Sequence, residues 1–189
     1  MNDDLQSITR EELGRLFPIE IAEPDDEWPA LFQAEKTRLE RILGPLAIRI
    51  EHIGSTAVPG MPAKPTIDIL IEIPEGFQAA EKIFDSMRTA DYLHMREQRD
   101  HLMFVRGYTP QGLAPHSYHV HMARREQDDW WDRVKFRDYL VNHPEVAKAY
   151  AALKYKLAAE FRHDRDGYTE AKTEFITRVT DLAAEEEAT

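Results

Sequence analysis

The residues with most chemical content lie between positions 50 and 73, which read IEHIGSTAVPGMPAKPTIDILIEI. An apolar strand ends in Gly54-Ser55, a loop stiffened by Pro59, Pro62 and Pro65 follows, and a second apolar strand holds Asp68 among Ile67, Ile69, Leu70 and Ile71. A carboxylate buried in such company is costly unless it is paired or holds a metal. Glycine lets a backbone approach phosphate closely, and the amides and hydroxyl after it can donate hydrogen bonds. Gly54, Ser55 and Asp68 therefore make a phosphate-and-metal layout. Lys64, in the loop between them, is placed to meet an anion. A Gly-Ser pair after a strand is by itself only a turn, and Lys64 by itself only a surface charge. Asp68, at a spacing that returns the chain alongside, is what gives the pair weight.

The elements that must position these groups read as α+β. Thr9 and Glu12 form a capping-box pattern for a short helix ending near Phe17-Pro18, and Ile19-Glu20-Ile21 alternates like an edge strand. A helix follows the Pro24-Asp25-Asp26 segment, with Trp28, Leu31, Phe32, Leu39, Ile42 and Leu43 on one stripe, and Gly44-Pro45 stops it. Strands are predicted over 46–53, 66–73 and 117–123, with weaker ones at 92–95 and 102–108 around a polar turn at 96–100. Residues 109–112 are a turn signal. His119 and His121 share one face of the 117–123 strand, and Tyr118, Val120 and Met122 the other. Ala80, Ile83, Phe84 and Met87 mark one more helix, and everything from residue 128 onward is helical.

Composition narrows the functional classes. The 189 residues fit one domain, with 1–17 as an N-terminal extension and 128–184 as a helical C-terminal part. Cysteine is absent, which excludes disulfides, thiolate nucleophiles and Cys-based zinc sites. A net charge of −11 argues against general nucleic-acid binding, although Arg124, Arg125, Arg133, Lys135 and Arg137 form a local basic stretch able to meet a small phosphate-bearing molecule. The N-terminus has neither the basic nor the apolar region of a signal peptide, and no apolar run reaches the length of a membrane span, so the expected location is cytoplasmic.

The run HIGSTAVPGMPAKPTIDILIEI resembles the GrpB family, within the nucleotidyltransferase superfamily of polymerase-β-like fold. RGYTPQG at 106–112, HVH at 119–121, KFRDYLVNHPEVAKAY at 135–150 and YTEAKTEFI at 168–176 match as well, so the resemblance runs from about residue 17 to 176. It implies a mixed β-sheet of the nucleotidyltransferase fold covered by helices, with Mg²⁺ or Mn²⁺ at the acids and a nucleoside triphosphate as ligand. In the superfamily pattern Gly-Gly or Gly-Ser is followed by two acids one residue apart. Asp68 matches the first, but Leu70 occupies the second, where a carboxylate normally shares the metal ions.

Glu72 does not replace the missing acid, because it lies roughly 13 Å along the strand from Asp68. A neighbouring strand is only about 4.8 Å away, which makes Glu51, His119 and His121 the candidates, Glu51 as metal ligand or base and the histidines as imidazole ligands. His52 is expected to face the other way as a structural histidine. Arg106, at a strand end, is placed to clamp phosphate bidentately. Lys172, in the first turn of the last helix, sits where amides and dipole favour an anion. Trp130, Trp131, Phe136 and Tyr139 are expected to be core packing, and 162–166 a solvated turn.

Two functions follow. One is a metal-dependent nucleotidyltransferase, with Asp68 and Glu51 catalytic, Asp68, His119 and His121 on the metal, and Gly54, Ser55, Lys64, Arg106 and Lys172 on the nucleotide. Its acceptor would be a small molecule or a protein. The other is a non-catalytic module that binds a nucleotide or partner without turnover, as the loss of an acid at Leu70 and the fusion of GrpB-like domains to dephospho-CoA kinase both suggest.

Overall fold

The computed structural model describes residues 9–95, 101–109 and 111–188. Five strands form one mixed sheet: β1 (Arg49–Ile53), β2 (Thr66–Glu72), β3 (Leu93–His94), β4 (Leu102–Thr109) and β5 (Gly112–Ala123), in the order β1-β2-β5-β4-β3. β2 and β5 are parallel neighbours and every other pair is antiparallel. The seven helices among the described residues are α1 (Arg10–Leu16), α2 (Trp28–Leu43), α3 (Phe77–Thr89), α4 (Asp128–Asn142), α5 (Pro144–Glu160), α6 (Arg165–Glu170) and α7 (Thr173–Glu187). The architecture is the α+β, helix-covered mixed sheet with a helical C-terminal third that the nucleotidyltransferase resemblance implies.

Strand alternation divides the sheet into two chemically different faces. Ile67, Ile69 and Ile71 of β2, Tyr118, Val120 and Met122 of β5 and Phe104 of β4 point together toward Trp28, Leu39 and Leu43 of α2 and Ile83 and Met87 of α3, which makes the main core. The opposite face carries Ile53, Asp68, Leu70, His119 and His121. Over its far half, Trp130 and Val134 of α4 pack on Ile53, Leu70 and Ala123. Beyond them α4, α5 and α7 enclose a further core around Leu140, Tyr150 and Val179, which reaches Val58 and Met61 of the β1–β2 loop.

Local expectations are met in most places. The Thr9–Glu12 capping box is present in both directions, at 3.2 Å and 2.8 Å, and Gly44 with φ of 53° ends α2. The Ile19-Glu20-Ile21 edge strand does not form. Ile19 instead donates its N–H to the Arg162 carbonyl at 2.7 Å, and only the following Ala22 forms a bridge, to Ala63. The polar turn at 96–100 lies outside the described residues. Residues 162–166 are not simply a solvated turn: Asp164 caps α6, and the arginine after it turns inward.

Candidate functional site

The parallel pairing of β2 with β5 sets Asp68 directly beside His119 and Leu70 beside His121. Both histidines of the HVH strand therefore face the same way as Asp68. One ligand atom from each of Asp68, His119 and His121 lies within 4.8 Å of the others, and this is the one such group found among the described residues. His119 Nδ1 is 2.9 Å from Asp68 Oδ1, and its Nε2 is 2.6 Å from the Tyr108 hydroxyl. An ionised Asp68 can only accept, so the Nδ1 nitrogen carries the proton and Nε2 accepts from Tyr108. Arg165 donates to the Tyr108 oxygen at 3.2 Å. His121 meets His101 at 3.2 Å and stacks on Trp130 with ring centroids 4.8 Å apart.

Burial and local charge set the protonation states. Burial alone would raise the Asp68 carboxyl, but the hydrogen bond and charge from His119, with His121 and Lys64, hold it well below the usual range. Burial lowers both His119 and His121, and outweighs the opposing pull of Asp68. The cluster is therefore an ionised carboxylate with two neutral imidazoles; neutral rings can ligate a metal, His119 after its proton shifts from Nδ1 to Nε2.

Gly54 is required here for a reason other than phosphate approach. Its φ is 74°, and a Cβ at that position would lie 2.5 Å from Asp68 Oδ2. The bare backbone lets the carboxylate rest against the turn. Ser55 opens a short 3₁₀ turn and faces the Tyr150 hydroxyl, whose own ionisation burial pushes up. Gly107, with φ of 84°, sits at the register shift between Arg106 and Tyr108. Ordinary alternation would put those two residues on one face. The irregularity sends Arg106 to the core face and Tyr108 to the site.

A cavity of about 1140 Å³ opens in front of these groups; its wall carries Lys64, Arg133, Lys154, Arg165 and Lys172 together with Asp68 and, farther out along the lining, Glu11, Asp129, Asp132, Asp164, Asp166 and Glu170. Its cations are unusually confined. Burial first, then Arg165, lowers Lys64 to about 8. Burial lowers Lys154 to about 7, where it donates to the Pro62 carbonyl. Burial and then Lys64 bring Lys172 to about 7, with its ammonium 4.0 Å from the Tyr168 ring centroid. Among the described residues none of these three lysines has a carboxylate within salt-bridge distance.

Several sequence expectations are corrected by placement. Arg106 lies on the opposite face of the sheet and grips Glu35 through Nε at 2.9 Å and through Nη2, so it takes no part in this cavity. Glu51 shares the Asp68 face, but Arg137 at 2.8 Å and Arg49 at 2.8 Å hold its two oxygens, and it does not line the cavity. Leu70 is 0% exposed and packs with Ile53, Ala123, Trp130 and Val134, so the second-acid position is core. His52 is structural as expected, stacked on Phe32 and bonded to Thr56 at 3.0 Å. Phe136, buried with Tyr150, and Trp130 each serve both core and cavity. Arg165, Tyr108 and Lys154 were missed, whereas Arg133 belongs to the basic stretch expected to meet a phosphate-bearing molecule and does line the cavity. A β-strand tyrosine after a glycine was the one local hint for Tyr108; the others arrive through tertiary packing.

The nucleotidyltransferase resemblance implies magnesium, and Asp68, His119 and His121 are the donors that would hold it. Mg²⁺ demands near-octahedral oxygen ligands and binds chiefly through carboxylates. Here the cluster supplies one carboxylate and two nitrogens, and Leu70 has no lone pair to add. The fit to magnesium is poor; the fit to a nitrogen-tolerant ion such as Mn²⁺ is better.

Fold and site together define a helix-covered mixed sheet bearing a carboxylate–bis-imidazole cluster at the wall of a cavity lined by charges of both signs. The chain belongs to the GrpB protein family, whose model matches residues 18–182. It is 37% identical over 163 residues to UPF0157 protein PA4798 of Pseudomonas aeruginosa, covering 85% of this chain and 66% of that one. It is likewise 37% identical over 164 residues to UPF0157 protein YqkA of Bacillus subtilis, covering 85% of this chain and 47% of that one. The chain thus spans less than two thirds of either relative. The crystal structure of conserved protein GrpB from Enterococcus faecalis superposes with a TM-score of 0.77 at 27% identity, over 90% of this chain and 100% of that one.

Proposed function

We propose that the cavity binds a nucleoside triphosphate and transfers its nucleotidyl group to a small-molecule or protein acceptor, in the cytoplasm. The observation that supports this best is the convergence, in one cavity, of the Asp68–His119–His121 cluster with Lys64, Lys172, Arg133 and Arg165. Such a volume has room for a nucleotide and a small acceptor together. Lysines held near neutrality by burial regain their full charge when a polyphosphate enters, so ligand and cations stabilise one another. Ser55 and the amides of its turn would hold phosphate oxygens. A divalent ion on Asp68, His119 and His121 would offset charge on the departing pyrophosphate. Arg165 and Tyr108 fix the His119 ring.

A second reading, a module that binds nucleotide or partner without turnover, is favoured by Leu70. A position fully enclosed by Trp130 and Val134 cannot share a second metal. The two readings separate in one experiment. Equilibrium binding of labelled nucleoside triphosphates is measured alongside pyrophosphate release, with Mn²⁺ present, over a panel of small acceptors and acceptor proteins. Binding with release supports transfer, and binding without release supports the module. No binding of any triphosphate, with Lys64→Met and Lys172→Met indistinguishable from the parent, would refute transfer and nucleotide binding alike and leave only a partner-binding module.

A further inference from the structure

We infer that the Asp68–His119–His121 cluster is a transition-metal site, selective for ions such as Zn²⁺, Co²⁺ or Mn²⁺ over Mg²⁺, and so departs from the magnesium chemistry of the fold it is built on. The inference shares its location with the nucleotide reading above but stands on the donor atoms alone. Two imidazoles at alternate positions of β5 and one carboxylate from the adjacent parallel β2 present two nitrogens and one oxygen from one side. Three ligands gathered on one side leave the remaining coordination positions open to the cavity, as in the two-histidine, one-carboxylate sites of redox-active and hydrolytic metals.

The surroundings are those of a metal site rather than of a solvated polar cluster. Metal-bound histidines commonly have a fixed partner on their second nitrogen, which sets ring orientation. His119 has Tyr108 there, and Tyr108 is itself anchored by Arg165. This hydroxyl can serve in both states. Without metal it donates to Nε2 while Nδ1–H bonds Asp68. When a metal takes the Nδ1 lone pair, the proton moves to Nε2 and the Tyr108 oxygen accepts it. His121 is held between His101 and Trp130. Gly54 keeps the Asp68 carboxylate in place, since any side chain there would displace it. The apolar wall of Ile53, Leu70 and Trp130 lowers the local polarity on the far side.

The test uses tag-free full-length protein stripped with chelator, then dialysed against Zn²⁺, Co²⁺, Mn²⁺ or Mg²⁺ singly and in competition. Metal content is measured by atomic absorption, and Co²⁺ is also followed by its visible d–d bands. One equivalent of Zn²⁺ or Co²⁺ should be retained, and a hundredfold excess of Mg²⁺ should not displace it. Asp68→Asn and His121→Gln should each weaken Zn²⁺ binding at least tenfold, and Tyr108→Phe, which acts by positioning, about tenfold. Circular dichroism melting checks each variant; should His121→Gln unfold, Asp68→Asn decides. No retained metal, displacement by equimolar Mg²⁺, or Asp68→Asn binding as tightly as the parent would overturn the inference. Nucleoside triphosphate binding is measured on the same protein with chelator present. Nucleotide bound there but no metal retained defeats this inference and leaves the nucleotide reading standing; metal retained with no nucleotide bound does the reverse.

Discussion

The two faces of the sheet each bury charge, and they treat it in opposite ways. On the core face Glu35, 2% exposed, receives both arms of Arg106 and the Tyr92 hydroxyl. Arg106 also lies 4.4 Å from the Tyr118 ring centroid. Glu35, Arg106 and Tyr92 satisfy one another, although the neighbouring Arg38 keeps a buried Nε without a partner among the described residues. The cluster is therefore closed around Glu35 and acts as a clip between α2, β4 and Tyr92, three residues beyond α3. On the site face an ionised Asp68 is shared by His119 and several cations, and Lys64, Lys154 and Lys172 are all held below their ordinary value. None of these three lysines has a carboxylate within salt-bridge distance among the described residues, although Glu11, Asp129, Asp132, Asp164, Asp166 and Glu170 also line the cavity. A closed cluster specifies structure; an open one of this kind is poised for an anionic ligand.

The largest effect that should separate the faces comes from Leu70→Asp. It places an unpaired carboxylate against Ile53, Trp130 and Val134, and should cost on the order of 3–5 kcal/mol. Thermal melting should show a loss that neither Mg²⁺ nor Mn²⁺ restores. Metal-dependent rescue would mean that this position belongs to the site rather than to the core. Next, Glu35→Gln should cost about 2–3 kcal/mol, because it strands Arg106 opposite a neutral amide. It should leave triphosphate affinity per folded molecule unchanged, and a matching loss of affinity would erase the distinction between the faces.

Smaller, and confined to the site, Gly54→Ala should cost about 1–3 kcal/mol through its left-handed backbone and the collision with Asp68. Unlike Glu35→Gln, it should also reduce metal retention. The mildest test is pH. The folded-state values of Lys64, Lys154 and Lys172 lie below the usual 10.5. Between about 7 and 10 the unfolded chain therefore binds more protons, and stability should rise with pH over that window. Polyphosphate affinity should fall over the same range, since the lysines lose the charge that holds it. His52, held down at about 4 chiefly by burial, works at the other end: its contribution is complete above 6.5 and is lost as pH falls toward 4. Urea melts and fluorescence-detected triphosphate titrations across pH 4–10 would show both trends, and parallel rather than opposed trends above pH 7 would count against the open-cluster view.

What was legible in the sequence follows the same division. Period-two alternation revealed that His119 and His121 face together, and the apolar runs placed β1, β2 and β5 as neighbours, so Asp68 and the histidines were found. Arg106 was misplaced because both faces of β4 are apolar: Leu102 and Phe104 alternate with Met103 and Val105, and nothing in that pattern says which set meets the core. The register shift at Gly107 then reverses parity for Tyr108. Glu51 was on the correct face, but its partner Arg137 comes from 86 residues away. Arg165 read as solvent-facing because α6 is too short to show a periodicity, and its contact with Tyr108 spans 57 residues. Local pattern reports which way a strand residue can point; it does not report which distant arginine will be there.

The parallel contact between β2 and β5 also bears on the order in which the molecule can assemble. Asp68 and His119 are 51 residues apart, and the whole α3–β3–β4 stretch of chain lies in the loop that their pairing closes. Contacts of such long sequence separation form late and slow folding, because the intervening loop is closed before any gain is realised. A chain still emerging during synthesis would carry the carboxylate long before either imidazole, and would hold no metal with it. Capture of an ion would thereby become a property of the finished molecule alone, and metal retention would serve as a marker that the last pairing of the sheet had closed.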